Sequence, residues 1–143
     1  MPDEGLVRAA AQLTAEGALI VTRGAMTKAT EIGVPQCIAV VDAGGNLLSF
    51  VRMDGGKVLS QFSATQKAVT AASNRAPTGG MDSDLSVKIS LATQGRLINV
   101  KGGLPIEVDG QVVGAVGVGS GTGEQDVDVG QAGIDALLEA LGR

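Results

Sequence analysis

Gln36-Cys37-Ile38-Ala39-Val40-Val41-Asp42, then Ala43-Gly44-Gly45-Asn46, then Leu47-Leu48-Ser49-Phe50-Val51-Arg52-Met53 is the stretch whose reading decides the fold. Two short apolar runs, the first β-branched, flank a turn of small and glycine residues, which predicts a β-hairpin. Asp54-Gly55-Gly56 closes the second strand. Upstream, Ala18, Val21, Ala25, Ala29 and Ile32 fall on one stripe of a helix over Thr14 to Ile32, stopped by Gly33 and Pro35. Leu6 to Leu13 reads as a short helix or an extension of that one.

Downstream, Leu59 to Asn74 is helical, with Phe62, Val69 and Ala72 on one face. Ala64, Lys67, Ala68 and Ala71 form a second face of unusually small residues, able to lie close to a neighbour. Arg75 to Gly80 is a loop. In Asp84 to Thr93 the alternation of Leu85, Val87, Ile89 and Leu91 favours a strand, although Leu85, Lys88, Ile89 and Ala92 also fit a helical turn. Leu97 to Lys101, Leu104 to Val108 and Gln111 to Val118 are read as strands, the last two joined by the hairpin signal Asp109-Gly110. A helix from about Gly123 to Leu141 ends the chain, opened by a capping box of Thr122 and Gln125. Helix, two strands, helices, three strands, helix is not the regular alternation of a parallel sheet. It predicts one α+β domain over residues 1–143, a mainly antiparallel sheet with packed helices.

Composition narrows the chemistry. Of 143 residues 44% are hydrophobic but 1% aromatic, so the core is built from small aliphatic residues, and 22 glycines predict close backbone approaches. The absence of histidine excludes a Ser-His-Asp triad, a Cys-His dyad, a His-ligated zinc and a histidine base. A net charge of −4 and scattered Lys and Arg argue against nucleic acid and against a polybasic membrane anchor. One cysteine, no apolar run near the length of a membrane span and an acidic Met1-Pro2-Asp3-Glu4-Gly5 start lead to a cytoplasmic expectation.

Candidate chemistry is sparse. Asp42, Arg52 and Asp54 flank the first hairpin, where Arg52 could hold a carboxylate while a carboxylate moves a proton. The alternative is a solvated ion pair at a hairpin base. Lys67, set among alanines, is either a partly desolvated base or a side chain snorkelling to water. Gly103 could offer a backbone N–H to an oxyanion. Cys37 reads as a buried small hydrophobe. Gly117 to Gly123 lacks the Gly-Lys-Ser/Thr ending of a phosphate loop and precedes Glu124, Asp126 and Asp128, so it reads as a structural turn. Acids such as Asp82, Asp84, Glu107 and Asp109 have no metal-loop spacing.

Several stretches, taken in order, resemble the GlcG/HbpS family, which includes the C-terminal domain of PduO. They are Ala39–Asn46 with Arg52–Gly56, Gln66–Ala72, Gly102–Ile106, Val113–Val118 and Glu124-Gln125-Asp126. The resemblance runs from about Leu13 to Leu141. It implies a profilin-like, five-stranded antiparallel sheet flanked by helices, Asp84–Thr93 helical, and assembly into a homo-oligomer. It also implies haem binding, although the chain has no His or Tyr to ligate the iron. Two functions stay open. One is a module that binds a small organic molecule or tetrapyrrole near the hairpin and Gly103, with no cofactor required. The other is a cofactor-independent lyase, isomerase or hydrolase using Arg52, Asp54 and Lys67.

Overall fold

A computed structural model describes residues 5–143; the acidic start at residues 1–4 lies outside the described residues. The elements run α1 (Ala15–Ile32), β1 (Cys37–Asp42), β2 (Leu47–Arg52), α2 (Ser60–Asn74), α3 (Ser83–Ala92), β3 (Gly103–Val108), β4 (Gln111–Gly119) and α4 (Gly123–Ala140). The strands pair antiparallel in the order β2-β1-β4-β3. The decisive stretch is thus a hairpin, with β1 at the centre of the sheet. Its residues Cys37 to Val41 are all fully buried because both of its faces are covered.

Alternation sends Ile38 and Val40 to one face, where they meet α1 and α4, and Cys37, Ala39 and Val41 to the other, beneath α2. The α1 stripe Ala18, Val21, Ala25 and Ala29 is buried as expected, while Ile32 is 37% exposed. Thr14 caps α1 by accepting from Gly17 N–H at 3.1 Å, and Gly33 ends it in the left-handed conformation. Asp109 and Gly110 both take positive φ, as the two-residue hairpin requires. On the opposite face α2 lies so close to β4 that a side chain at Gly117 would run into the backbone of Ala64 and Ala68. The small-residue face of α2 is therefore its core face. Phe62 on the other face is 60% exposed, so the larger residues do not set the packing.

Two expectations are corrected. The sheet has four strands among the described residues, because Leu97 to Lys101 joins no ladder. Side chains take its backbone groups instead: Leu97 N–H donates to Thr93 Oγ1, Ile98 N–H to Thr70 Oγ1, and the Val100 carbonyl accepts from Thr78 Oγ1. A segment whose polar groups are satisfied this way needs no strand partner. Leu6 to Leu13 is not helical; it runs irregularly until Leu13 N–H donates to the Val113 carbonyl at 3.0 Å. By contrast Asp84–Thr93 lies largely in a helix, α3, whose N-cap Asp82 accepts from Leu85 N–H at 3.2 Å. Its strict alternation scatters apolar groups around the helix, and none of its ten residues is buried. No helix among the described residues is long and apolar enough to cross a membrane.

Candidate functional site

The two ends of the sheet differ in how their polar groups are used. At the end where β1 begins and β4 finishes, Lys67 of α2 is 3% exposed. Its Nζ donates to the Val118 carbonyl at 2.7 Å and to Asp126 Oδ2 at 3.0 Å. Asp126 sits in the first turn of α4, where a carboxylate complements the helix dipole, and its Oδ1 accepts from Gly121 N–H at 3.0 Å. Gly102, at φ +126°, passes so near that a Cβ there would lie 2.8 Å from Nζ. The small face of α2 therefore delivers its lysine into a sealed ion pair, not along the surface to water. Beside it the fully buried Gln36 has no hydrogen-bond partner at Oε1 or Nε2 among the described residues.

The expected site residues are divided by this geometry. Arg52 pairs with Cys37 and its Nη1 donates to the Gly56 carbonyl at 3.2 Å, with Asp54 exposed nearby. Asp42 is at the opposite end of β1, about 17 Å of strand away. There its Oδ1 accepts from Gly44 N–H and Asn46 N–H, both at 2.9 Å, as the clamp of the hairpin turn. Asp42 and Arg52 thus share no ligand position. The Gly103 N–H is already donated to Thr78 Oγ1 at 2.9 Å, which removes it as an oxyanion donor. Cys37 is buried, its thiol donating to the Lys57 carbonyl at 3.5 Å. Desolvation pushes its pKa up, against a smaller opposing pull from Arg52. The glycine-rich turn before α4 is closed by its own capping box, as its sequence indicated.

At the hairpin-turn end lies an open cleft of about 540 Å³. Ala43 to Gly45 form one wall, the second half of α2 another, and the end of α3 with the following turn the third. Val69, Ala92 and Leu97 supply its apolar surface, and Ser73, Gln94 and Arg96 its exposed polar groups. Sequence reasoning located the hairpin turn but missed Ser73, Gln94 and Arg96, because nothing in their spacing marks them. A second hollow of about 390 Å³ shares Thr70 and is lined by the loop from Ala76 to Met81 with Ile98 and Asn99. Among the described residues no three Cys, Asp or Glu side chains are placed to hold a metal.

An antiparallel sheet covered by three helices, with a fourth helix beside an open cleft, defines an α+β domain of a recognised kind. Residues 13–135 match the model of the family described as "Haem degrading protein HbpS-like". The chain belongs to this GlcG/HbpS family. It is 37% identical to the "Uncharacterized 15.0 kDa protein in dhaT-dhaS intergenic region" of Citrobacter freundii, over 90% of this chain and 94% of that one. The crystal structure of Klebsiella pneumoniae protein ORFY superposes with a TM-score of 0.86 at 32% identity, covering 95% of this chain and 97% of the other. The PduOC:haem complex superposes at 0.80 with 28% identity, covering 87% and 94%.

Proposed function

We propose that this protein binds a small organic ligand in the cleft between the hairpin turn, α2 and the end of α3. The cleft itself carries the reading: its volume lies in the range of small-molecule sites, and an apolar lining with a few polar groups is what such sites share. The PduOC:haem relative supports a tetrapyrrole as one ligand to test. The chain does not fit haem held through its iron in the usual way. It has no His or Tyr. Cys37 is sealed beneath α2. Met26 and Met53 pack against the core, and Met81 alone of the described methionines lines a hollow. No iron-dependent step follows from these residues.

A haemin titration of tag-free protein, followed by absorbance, tests the reading when run beside Ser73→Trp, which places a bulky ring in the cleft. Saturable binding by wild type that weakens in Ser73→Trp is the expected result. Equal responses of the two proteins would remove the cleft from the account, and a wild-type response that does not saturate would remove haem as its ligand.

The same proposal includes self-association in the cytoplasm. Val87 and Leu91, four residues apart on one side of α3, are 60% and 76% exposed, an apolar strip on a short helix. A second copy of the chain is the partner this surface suits. Light scattering should give a mass above 14.2 kDa for wild type and a shift toward the monomer for Leu91→Glu. A wild-type monomer at all concentrations would end this part of the proposal.

A further inference from the structure

The polar groups around the cleft separate into those already bonded and those left over. Thr70 Oγ1 accepts from Ile98 N–H at 3.1 Å and donates to the Arg96 carbonyl at 3.4 Å. Thr93 Oγ1 accepts from Leu97 N–H at 3.1 Å and donates to the Ile89 carbonyl at 2.9 Å. The turn amides of Ala43, Gly44 and Gly45 go to Gln12 Oε1, Asp42 Oδ1 and the Asp42 carbonyl. The side chains of Arg96, Gln94 and Ser73 make no hydrogen bond or ion pair with any described residue. No residue lining the cleft is acidic, so the Arg96 charge has no counter-charge there. A guanidinium presents its donors in a planar fork that matches a carboxylate. Val69, Ala92 and Leu97 beside it suit an apolar body.

We infer that the cleft recognises a carboxylate attached to an apolar body, with Arg96 taking the carboxylate, and Gln94 on the same wall and Ser73 on the α2 wall able to add hydrogen bonds. This rests on the ligand-binding reading of the cleft and deepens it. Ligand selection then follows the acid group rather than a metal, in keeping with a chain that lacks histidine and tyrosine. Porphyrins carrying propionate side chains and simple aryl or alkyl carboxylates share this chemistry, and the experiment separates them.

The probe is 1-pyrenebutyrate, titrated by fluorescence against tag-free wild type, Arg96→Gln, Arg96→Lys and the surface control Arg23→Gln. The uncharged alcohol 1-pyrenebutanol, haemin and iron-free protoporphyrin run in parallel. Wild type should bind the carboxylate roughly ten- to hundredfold more tightly than the alcohol. Arg96→Gln should erase that preference, Arg96→Lys keep part of it and Arg23→Gln leave it unchanged. Matching affinities for haemin and protoporphyrin, both weakened by Arg96→Gln, would extend the assignment to tetrapyrroles. Binding of pyrenebutyrate alone would restrict it to smaller acids. Saturable binding indifferent to Arg96 and to the acid group overturns this inference while the cleft stands. No saturable binding of any probe overturns both.

Discussion

Lys67 and Arg96 are both cations on the α2 side of one sheet, and their surroundings give them opposite uses. Lys67 meets Asp126 and the Val118 carbonyl in a sealed interior, so two of its three N–H donors are used within the fold. Arg96 stands exposed at an open cleft with no side-chain partner among the described residues. The buried pair ties α2, β4 and the start of α4 together; the exposed guanidinium holds nothing in place. Under the proposed reading, unfilled bonds rather than desolvation single out the cation that would meet a ligand. Lys67 is the residue whose setting among alanines suggested chemistry, yet its burial serves architecture.

The sharpest way to break this contrast is Asp126→Ala. It leaves a buried ammonium without its counter-charge and frees the Gly121 N–H, a change of the kind that costs about 3–5 kcal/mol. Urea unfolding should show that loss, and the double variant Lys67→Met with Asp126→Leu should recover much of it. An Asp126→Ala protein as stable as wild type would mean the pair is no strut. At the cleft, Thr70→Val removes the acceptor for Ile98 N–H and should cost about 1–2 kcal/mol. Faster hydrogen exchange at the Ile98 amide is the local sign to look for, and unchanged protection would show that another group holds the segment.

Gln36→Leu probes the closed end in the other direction. Replacing an amide that has no protein partner with an apolar group should leave stability unchanged or raise it by up to about 1 kcal/mol. A clear loss would reveal that the amide is satisfied by something bound beside Asp126. The smallest effect belongs to Arg96→Gln, whose unfolding midpoint should match wild type to within about 0.5 kcal/mol even as carboxylate binding falls. Destabilisation by that substitution would make Arg96 a structural residue and dissolve the contrast.

Much of the scaffold was legible before any coordinates. The turn at Ala43 to Asn46, the Asp109-Gly110 hairpin, the Gly33 stop of α1 and the capping box at Thr122 appear where their residues predict them. Each is decided by side chains acting on backbone within about four residues, which a linear sequence displays directly. Leu97 to Lys101 misled because an apolar β-branched run records a preference for extended backbone, while strand pairing also needs a neighbouring edge. Thr70, Thr78 and Thr93 took the hydrogen bonds that an edge would have supplied. In Asp84–Thr93 the alternation leaned to strand while the family resemblance implied the helix that forms; an exposed helix needs no buried stripe, so the alternation carried no strand information.

The candidate site was less legible. Asp42, Arg52 and Asp54 sit close in the chain around one hairpin, but five residues of extended strand hold Asp42 away from Arg52. For Lys67 the sequence left burial and snorkelling to water both open, because the partner that settles it lies 59 residues on, past three other elements. Gly103 was placed near that pair, with its N–H consumed by a threonine 25 residues earlier.

By itself the sequence determined helices α1, α2 and α4, the turns, the first hairpin, the family and the exclusion of histidine chemistry, because these depend on local pattern or on composition. Only the tertiary structure decided which charges are satisfied. That Lys67 is locked and Arg96 left open depends on contacts between distant segments, and the free energy of a charge is set by the groups packed around it in space.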